Sequence, residues 1–163
     1  MGMTIGQALE RLQMLCCRCE YSTGQVRKKL KLWDARERRA GRTGFLPDEI
    51  DEAVGTLVRG RFVDDVRFAA AYVRDKARFA KWGPAKISYN LRMLGVDDAI
   101  IKSALGDNDD LYSSNMLEDI LRKKWNTFKK DEPVHSKKMK LVRFALGRGF
   151  NYEQIMDIIG NIG

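Results

Sequence analysis

Gly83-Pro-Ala-Lys-Ile-Ser-Tyr-Asn-Leu-Arg-Met-Leu-Gly-Val-Asp-Asp-Ala-Ile-Ile-Lys-Ser-Ala-Leu105 reads as a helix, a glycine turn and a shorter helix. Pro84 suits the first position of a helix, and Gly95 suits a left-handed turn residue. The same pattern returns at an offset of 54 in Lys137-Lys-Met-Lys-Leu-Val-Arg-Phe-Ala-Leu-Gly-Arg-Gly-Phe-Asn-Tyr-Glu-Gln-Ile-Met-Asp-Ile-Ile159. Ile87 then matches Leu141, Leu91 matches Ala145, Gly95 matches Gly149, Val96 matches Phe150, Ile101 matches Ile155 and Leu105 matches Ile159. A third copy lies upstream. Val26, Leu30 and Trp33 align with Ile87, Leu91 and Leu94 at an offset of 61, and Phe45, Ile50 and Val54 with Val96, Ile101 and Leu105 at an offset of 51. The two offsets differ because the turn, Asp34-Ala-Arg-Glu-Arg-Arg-Ala-Gly-Arg-Thr-Gly44, holds an insertion that reads as a solvated loop or a frayed helix extension.

Repeats of this length point to stacked helical units rather than to an enzyme pocket. Apolar spacing and helix-start signals predict nine helices in three groups of three: residues 1–60, 61–106 and 111–163. The first helix is expected from about Thr4 to Cys19, with Leu9, Leu12, Cys16 and Cys19 on one face. Ser22 and Gln25 form a capping box for the second, and Pro47 with Asp48 and Glu49 opens the third. Asp64 or Asp65 caps the fourth, which carries Phe68, Tyr72 and Phe79. Asp97 caps the sixth, and Asp107-Asn-Asp-Asp110 is a polar linker. Ser113 or Ser114 starts the third group. Its first helix carries a stripe of Met116 or Leu117, Ile120, Leu121, Trp125 and Phe128, and Lys129-Lys-Asp-Glu-Pro133 breaks it. Ser136 and Asn151 cap the last two helices. A trio cannot bury both faces of its helices alone, so the expected fold is all-α: three tandem three-helix repeats stacked into an elongated, curved array.

The chain has 163 residues, 44% of them hydrophobic, which is enough for a core. No apolar stretch approaches the roughly 18 residues of a membrane span. Glu10 and Arg11 interrupt the apolar pattern of the first helix, which argues against a signal peptide, so a cytoplasmic protein is expected. The net charge of +8 is concentrated: residues 25–43 net +6 and residues 122–143 net +7, leaving the rest acidic on balance. Clustered positive charge attracts polyanions or acidic protein surfaces. Candidate contacts are Arg27, Lys28 and Lys31, with Arg36, Arg38 and Arg39 of the insertion, and Lys123, Lys124, Lys138 and Arg143 in the second cluster. Because both of these basic segments lie in the outer groups, the middle one reads as a connector.

Chemistry-bearing constellations are missing. Cys16, Cys17 and Cys19 lack the partners of a four-ligand zinc site, and the one histidine, His135, lies over a hundred residues away. Cys16 and Cys19 read as core thiols and Cys17 as an exposed one. Gly41-Arg-Thr-Gly44 lacks the lysine and spacing of a phosphate loop. Asp64 and Asp65 are explained by helix capping. Trp33, Phe68, Tyr72, Trp125 and Phe144 follow core periodicity, whereas Tyr21, Trp82 and Tyr89 are the candidates for exposed rings. No cofactor, metal or catalytic group is expected.

The segment Val63-Asp64-Asp65-x-Arg67-Phe68-Ala69-x-x-Tyr72-Val73 resembles a signature of the RecX family of bacterial recombination regulators. Gly83-Pro84-x-Lys86-Ile87-x-x-x-Leu91-x-x-x-Gly95-Val96 continues the family's pattern in order. Arg143-Phe144-x-x-x-Arg148-Gly149-Phe150-x-x-x-x-Ile155 matches its last repeat. The resemblance runs from about Ala8 to Ile159. Val66 departs from a common acidic residue, Asn90 from a frequent Glu, and the insertion is longer than the usual turn. The resemblance implies three tandem three-helix repeats, no catalysis, and a partner: the RecA recombinase filament on single-stranded DNA, whose ATPase, extension and strand exchange such proteins limit. Arg67 and Arg74 belong to the family motif and are implied at the partner surface, with pairing to Asp64 or Asp65 the alternative for Arg67. Direct DNA contact is a further possibility, a monomer is the expected state, and a stand-alone basic nucleic-acid-binding repeat protein is the competing reading.

Overall fold

The computed structural model describes residues 1–112 and 114–163. Among them the chain is helical, with α1 (Ile5–Cys16), α2 (Thr23–Arg39), α3 (Pro47–Arg59), α4 (Asp65–Arg78), α5 (Pro84–Met93), α6 (Asp98–Gly106), α7 (Ser114–Trp125), α8 (Val134–Gly147) and α9 (Tyr152–Ile159). Start signals account for most of the beginnings. Thr4 and Gln7 close a capping box on α1, Ser22 and Gln25 one on α2, and Pro47 opens α3 with Asp48 and Glu49 in its first turn. Asp64 accepts from the Arg67 amide at the head of α4, and Asn151 from the Glu153 and Gln154 amides at the head of α9.

The chain forms two compact units, one of Met1–Ala69 with Arg92–Ile100 and one of Ala70–Leu91 with Ile101–Gly163. The core of the first gathers Ala8, Leu12, Val26, Leu30, Phe45, Ile50, Ala53, Val54, Leu57 and Val63. In the second, Leu117, Leu121, Leu141, Ala145, Phe150, Ile155, Ile159 and Ile162 form one cluster. Each fully buried Leu or Ile contributes about 1.5–3 kcal/mol. Nearly all the positions that define the repeat in sequence are buried: Val26, Ile87 and Leu141; Leu30, Leu91 and Ala145; Phe45, Val96 and Phe150; Ile50, Ile101 and Ile155.

One joint is built twice. The turn glycines Gly95 and Gly149 have φ of 80° and 92°, a region that L side chains rarely adopt. In the first unit Gly24, in the first turn of α2, lies directly on the turn at Leu94–Gly95. A Cβ on Gly24 would stand 2.5 Å from the Leu94 carbonyl oxygen and 2.6 Å from the Gly95 Cα. The buried Ser22 hydroxyl donates to that carbonyl, and Asp65 accepts from the Thr23 amide at 2.8 Å and from its hydroxyl at 2.6 Å. In the second unit the start of α5 meets the turn at Arg148–Gly149. The Gly83 amide donates to the Arg148 carbonyl at 2.6 Å and the Ala85 amide to the Gly149 carbonyl at 3.1 Å. At the repeat offsets Ser22 corresponds to Gly83 and Leu94 to Arg148, so a hydroxyl in one joint does the work of a main-chain amide in the other.

Several expectations are corrected. The helix α1 stops at Cys16, so Cys19 has left the apolar face and is exposed, while Cys16 is half-buried. The helix α4 stops at Arg78, and Phe79 beyond it is 83% exposed. The insertion resolves as a helix extension, with α2 running to Arg39 before the turn. The polar linker is not featureless: Asp109–Tyr112 is a 3-10 turn that buries Tyr112, and desolvation pushes its phenol up to about 12. Pro133, not Ser136, precedes α8. The Ser136 hydroxyl instead donates to Glu132 at 2.8 Å. Of the two serines read as starting the third group, Ser114 is the first residue of α7 and Ser113 lies outside the described residues.

Candidate functional site

The basic surface divides into cations tied to carboxylates or main chain and cations left to solvent. In the first unit Arg27 pairs with Asp51. Arg38 spans one helical turn to Asp34 at 2.9 Å and donates to the Phe45 carbonyl, while Asp34 accepts from the Phe45 amide at 2.7 Å. Arg42 folds back on Glu37, with Nη2 donating to Oε1 at 2.9 Å, and Glu37 also accepts from the Met3 amide. The Phe45 amide, then Arg38, holds the Asp34 carboxyl below the usual range. Arg42, then the Met3 amide, does so for Glu37. Arg38 and Arg42 hold the insertion in place, whereas Arg27 ties α2 to α3. Lys28, Lys31, Arg36 and Arg39 are exposed and have no ion pair among the described residues.

Arg67 pairs with neither neighbouring aspartate through its guanidinium. Its Nε donates to Glu20 at 2.8 Å, and its terminal nitrogens reach the Arg61 carbonyl. Glu20 raises its pKa. Asp64 is occupied as the α4 cap, and Asp65 by Thr23. Arg74 is exposed and unpaired among the described residues.

In the second unit Lys123 and Lys124 of α7 line a groove of about 410 Å³ together with Lys81, Arg148 and Phe144. The Phe144 ring is flanked by two cations, Lys124 Nζ at 5.2 Å and Arg148 Cζ at 5.1 Å. Arg148 also donates to the Ala80 carbonyl. The Trp82 ring has Lys76 Nζ 4.8 Å and Lys86 Nζ 4.4 Å from its centre. Sequence reasoning missed Lys76, Lys81, Lys86 and Arg148. The group read as a connector supplies three of these cations, Lys76, Lys81 and Lys86. The available signal was Lys81-Trp82 and Lys86 bracketing the Gly83-Pro84 helix start. Phe144, read as core, is only half-buried and faces this groove.

Three other members of the second cluster, Lys137, Lys140 and Arg122, are spoken for. Lys137 is buried, with its ammonium 5.3 Å from the Trp125 ring. Lys140 pairs with Glu132, whose carboxyl lies below the usual range because of Lys140 and the Ser136 hydroxyl, and Arg122 pairs with Glu118. Lys138 is half-buried, whereas Arg143 is exposed without an ion pair among the described residues. No group of three or more His, Cys, Asp or Glu side chains is placed to hold a metal ion among the described residues. No helix among them is long and apolar enough to cross a membrane. The surface can therefore offer charge, cation-flanked rings and multiple contacts.

Two family models match the chain: the second three-helix domain of RecX over residues 64–105 and the third three-helix domain of RecX over residues 113–159. The regulatory protein RecX of Clostridium acetobutylicum is 33% identical over 116 residues, covering 69% of this chain and 53% of that protein. The RecX of Haemophilus influenzae is 29% identical over 143 residues, covering 86% of this chain and 85% of its own length. The chain thus spans about half the length of the clostridial relative. The crystal structure of RecX from Lactobacillus salivarius superposes with a TM-score of 0.79 over 97% of this chain and 96% of that one, at 24% identity, which is a likeness of fold.

Proposed function

The chain belongs to the RecX family, and on that premise we propose that it binds the RecA recombinase polymerised on single-stranded DNA and lowers its ATPase, extension and recombination activity. Residues 1–60, 61–106 and 111–163 are taken as its three repeats, acting as a cytoplasmic monomer without catalysis. The observation that supports this reading is the sorting of cations. Lys28, Lys31, Arg36 and Arg39 in one unit, and Lys123 and Lys124 in the other, are left out of ion pairs among the described residues. A long helix that keeps four like charges unpaired on its surface gives up stabilisation that neighbouring carboxylates would supply, and gains attraction for an anionic partner. Two such sets on one chain can engage a polymer at two points, so modest contacts multiply into tight binding. The test is titration of a RecA–single-strand ATPase reaction with this protein. ATP turnover falls as the protein is added; unchanged turnover and strand exchange at saturation would refute the reading.

The groove of the second unit favours one alternative, a nucleic-acid binder that needs no protein. Its cations, Lys81, Lys123, Lys124 and Arg148, suit a phosphate backbone. That reading expects bare single strands to bind as tightly as the filament, with a salt slope of roughly −0.7 per phosphate contact. Weak binding to bare strands at physiological salt sets it aside.

A further inference from the structure

In the first unit a second groove, of about 350 Å³, lies between the N-terminal half of α2 and the turn at Leu94–Gly95. Its composition differs from that of the groove on α7. Leu32 is 52% exposed and Met93 70% exposed, so two large aliphatic side chains face solvent in one concavity. Lys28 and Lys29 stand beside them, and no carboxylate lines the groove among the described residues. The floor is rigid. The contact of Gly24 with Gly95, the Ser22 hydroxyl on the Leu94 carbonyl, and Asp65 on Thr23 fix both walls. A binding site prepared in this way costs little ordering free energy on association.

We propose that this groove binds an acidic peptide segment of a partner protein, with an aliphatic side chain of that segment set against Leu32 and Met93 and its carboxylates against Lys28 and Lys29. The choice of a peptide over a nucleic acid rests on the ring chemistry. Single strands bind by stacking bases on open aromatic faces. The one ring here, Tyr21, already has Lys29 Nζ 5.2 Å from its centre. What the groove leaves open is aliphatic surface with two lysines of α2 on its rim, which matches an apolar anchor with Asp or Glu beside it. The inference rests on reading the chain as a protein-binding regulator and assigns that role a place.

The experiment uses the full chain and fluorescence anisotropy of a labelled peptide of Asp and Glu residues interrupted by two leucines. Lys28→Glu/Lys29→Glu and Leu32→Asp/Met93→Asp are each expected to weaken binding about tenfold or more, the scale of a removed hot spot. Lys102→Glu, at an exposed position that lines neither groove, leaves it unchanged. All four groove substitutions fall on half-buried or exposed positions, and unchanged melting confirms folding. Equal binding of an acidic peptide without leucines, or affinity indifferent to both groove variants, overturns the proposal. So does loss of oligo-dT binding in place of peptide binding. A chain that inhibits RecA yet never binds the peptide defeats the groove alone. A chain that binds the peptide through these residues without affecting RecA upholds the groove and defeats the RecA reading.

Discussion

Gly149 is held by two independent constraints. Its φ of 92° disfavours any L side chain, and a Cβ would stand 2.5 Å from the Lys86 amide nitrogen, at the start of α5. Gly149→Ala is therefore expected to lower stability by about 2–4 kcal/mol, combining strained backbone with overpacking. Two residues earlier Gly147 is helical, and a Cβ there meets nothing within 4 Å. Gly147→Ala is expected to stabilise by about 0.5–1 kcal/mol, because it restricts only the unfolded chain. Urea unfolding of the two variants separates these outcomes, and a shift of the same sign in both contradicts the joint. The cysteines are ordered by their surroundings as well. Burial, aided by the neighbouring thiols, pushes the Cys16 thiol up, while Cys17 and Cys19 are exposed. Thiolate is the reactive form. Timed alkylation followed by peptide mass mapping should label Cys17 and Cys19 before Cys16.

The extension of α2 is an element stabilised by charge on one side and displaying it on the other. Asp34 and Glu37, and Glu132 before α8, are carboxylates whose pKa values fall on folding. Their contribution is complete above the unfolded carboxylate range near pH ~4 and disappears as pH drops through the lower folded values. Thermal midpoints should therefore fall steeply below pH ~4, and Glu37→Gln should flatten that limb; an acid limb identical to wild type would show that the Arg42 and Met3 contacts are not made in solution. The same element distinguishes tied from untied arginines. Arg38→Glu sets like charges against Asp34 and is expected to lower the melting midpoint. Arg36→Glu and Arg39→Glu leave it nearly unchanged while weakening filament binding. Equal thermal losses from all three would mean that the sorting has no functional content.

At the scale of the whole molecule the two basic surfaces matter together. If both engage one filament, reversing either Lys28 and Lys31 or Lys123 and Lys124 leaves residual ATPase inhibition, and reversing all four removes it at the same protein concentration. Inhibition fully lost with one set and untouched by the other would identify a single contact surface. The measurement is ATP turnover by RecA on single-stranded DNA across the three variants. Because each set lies in its own compact unit, the changes are expected to combine through the shared partner rather than through each other's folding.

By itself the sequence determined most of the helix starts and the repeat. Those signals are local: apolar residues three and four apart, a serine or aspartate before a helix, a proline at its first position, a glycine where φ must be positive. The positions that align Val26, Ile87 and Leu141 are buried because the same helix is built three times. Tertiary structure alone decided which charges are free. Arg38 and Lys31 look alike in a run of basic residues, yet Asp34 lies one helical turn before Arg38, and only the folded turn brings the Phe45 carbonyl to it. It also decided that Lys81 and Arg148, 67 positions apart, would share a groove with Lys123 and Lys124. Charge pairing depends on distances across the fold, and a linear count of basic residues carries no information about them.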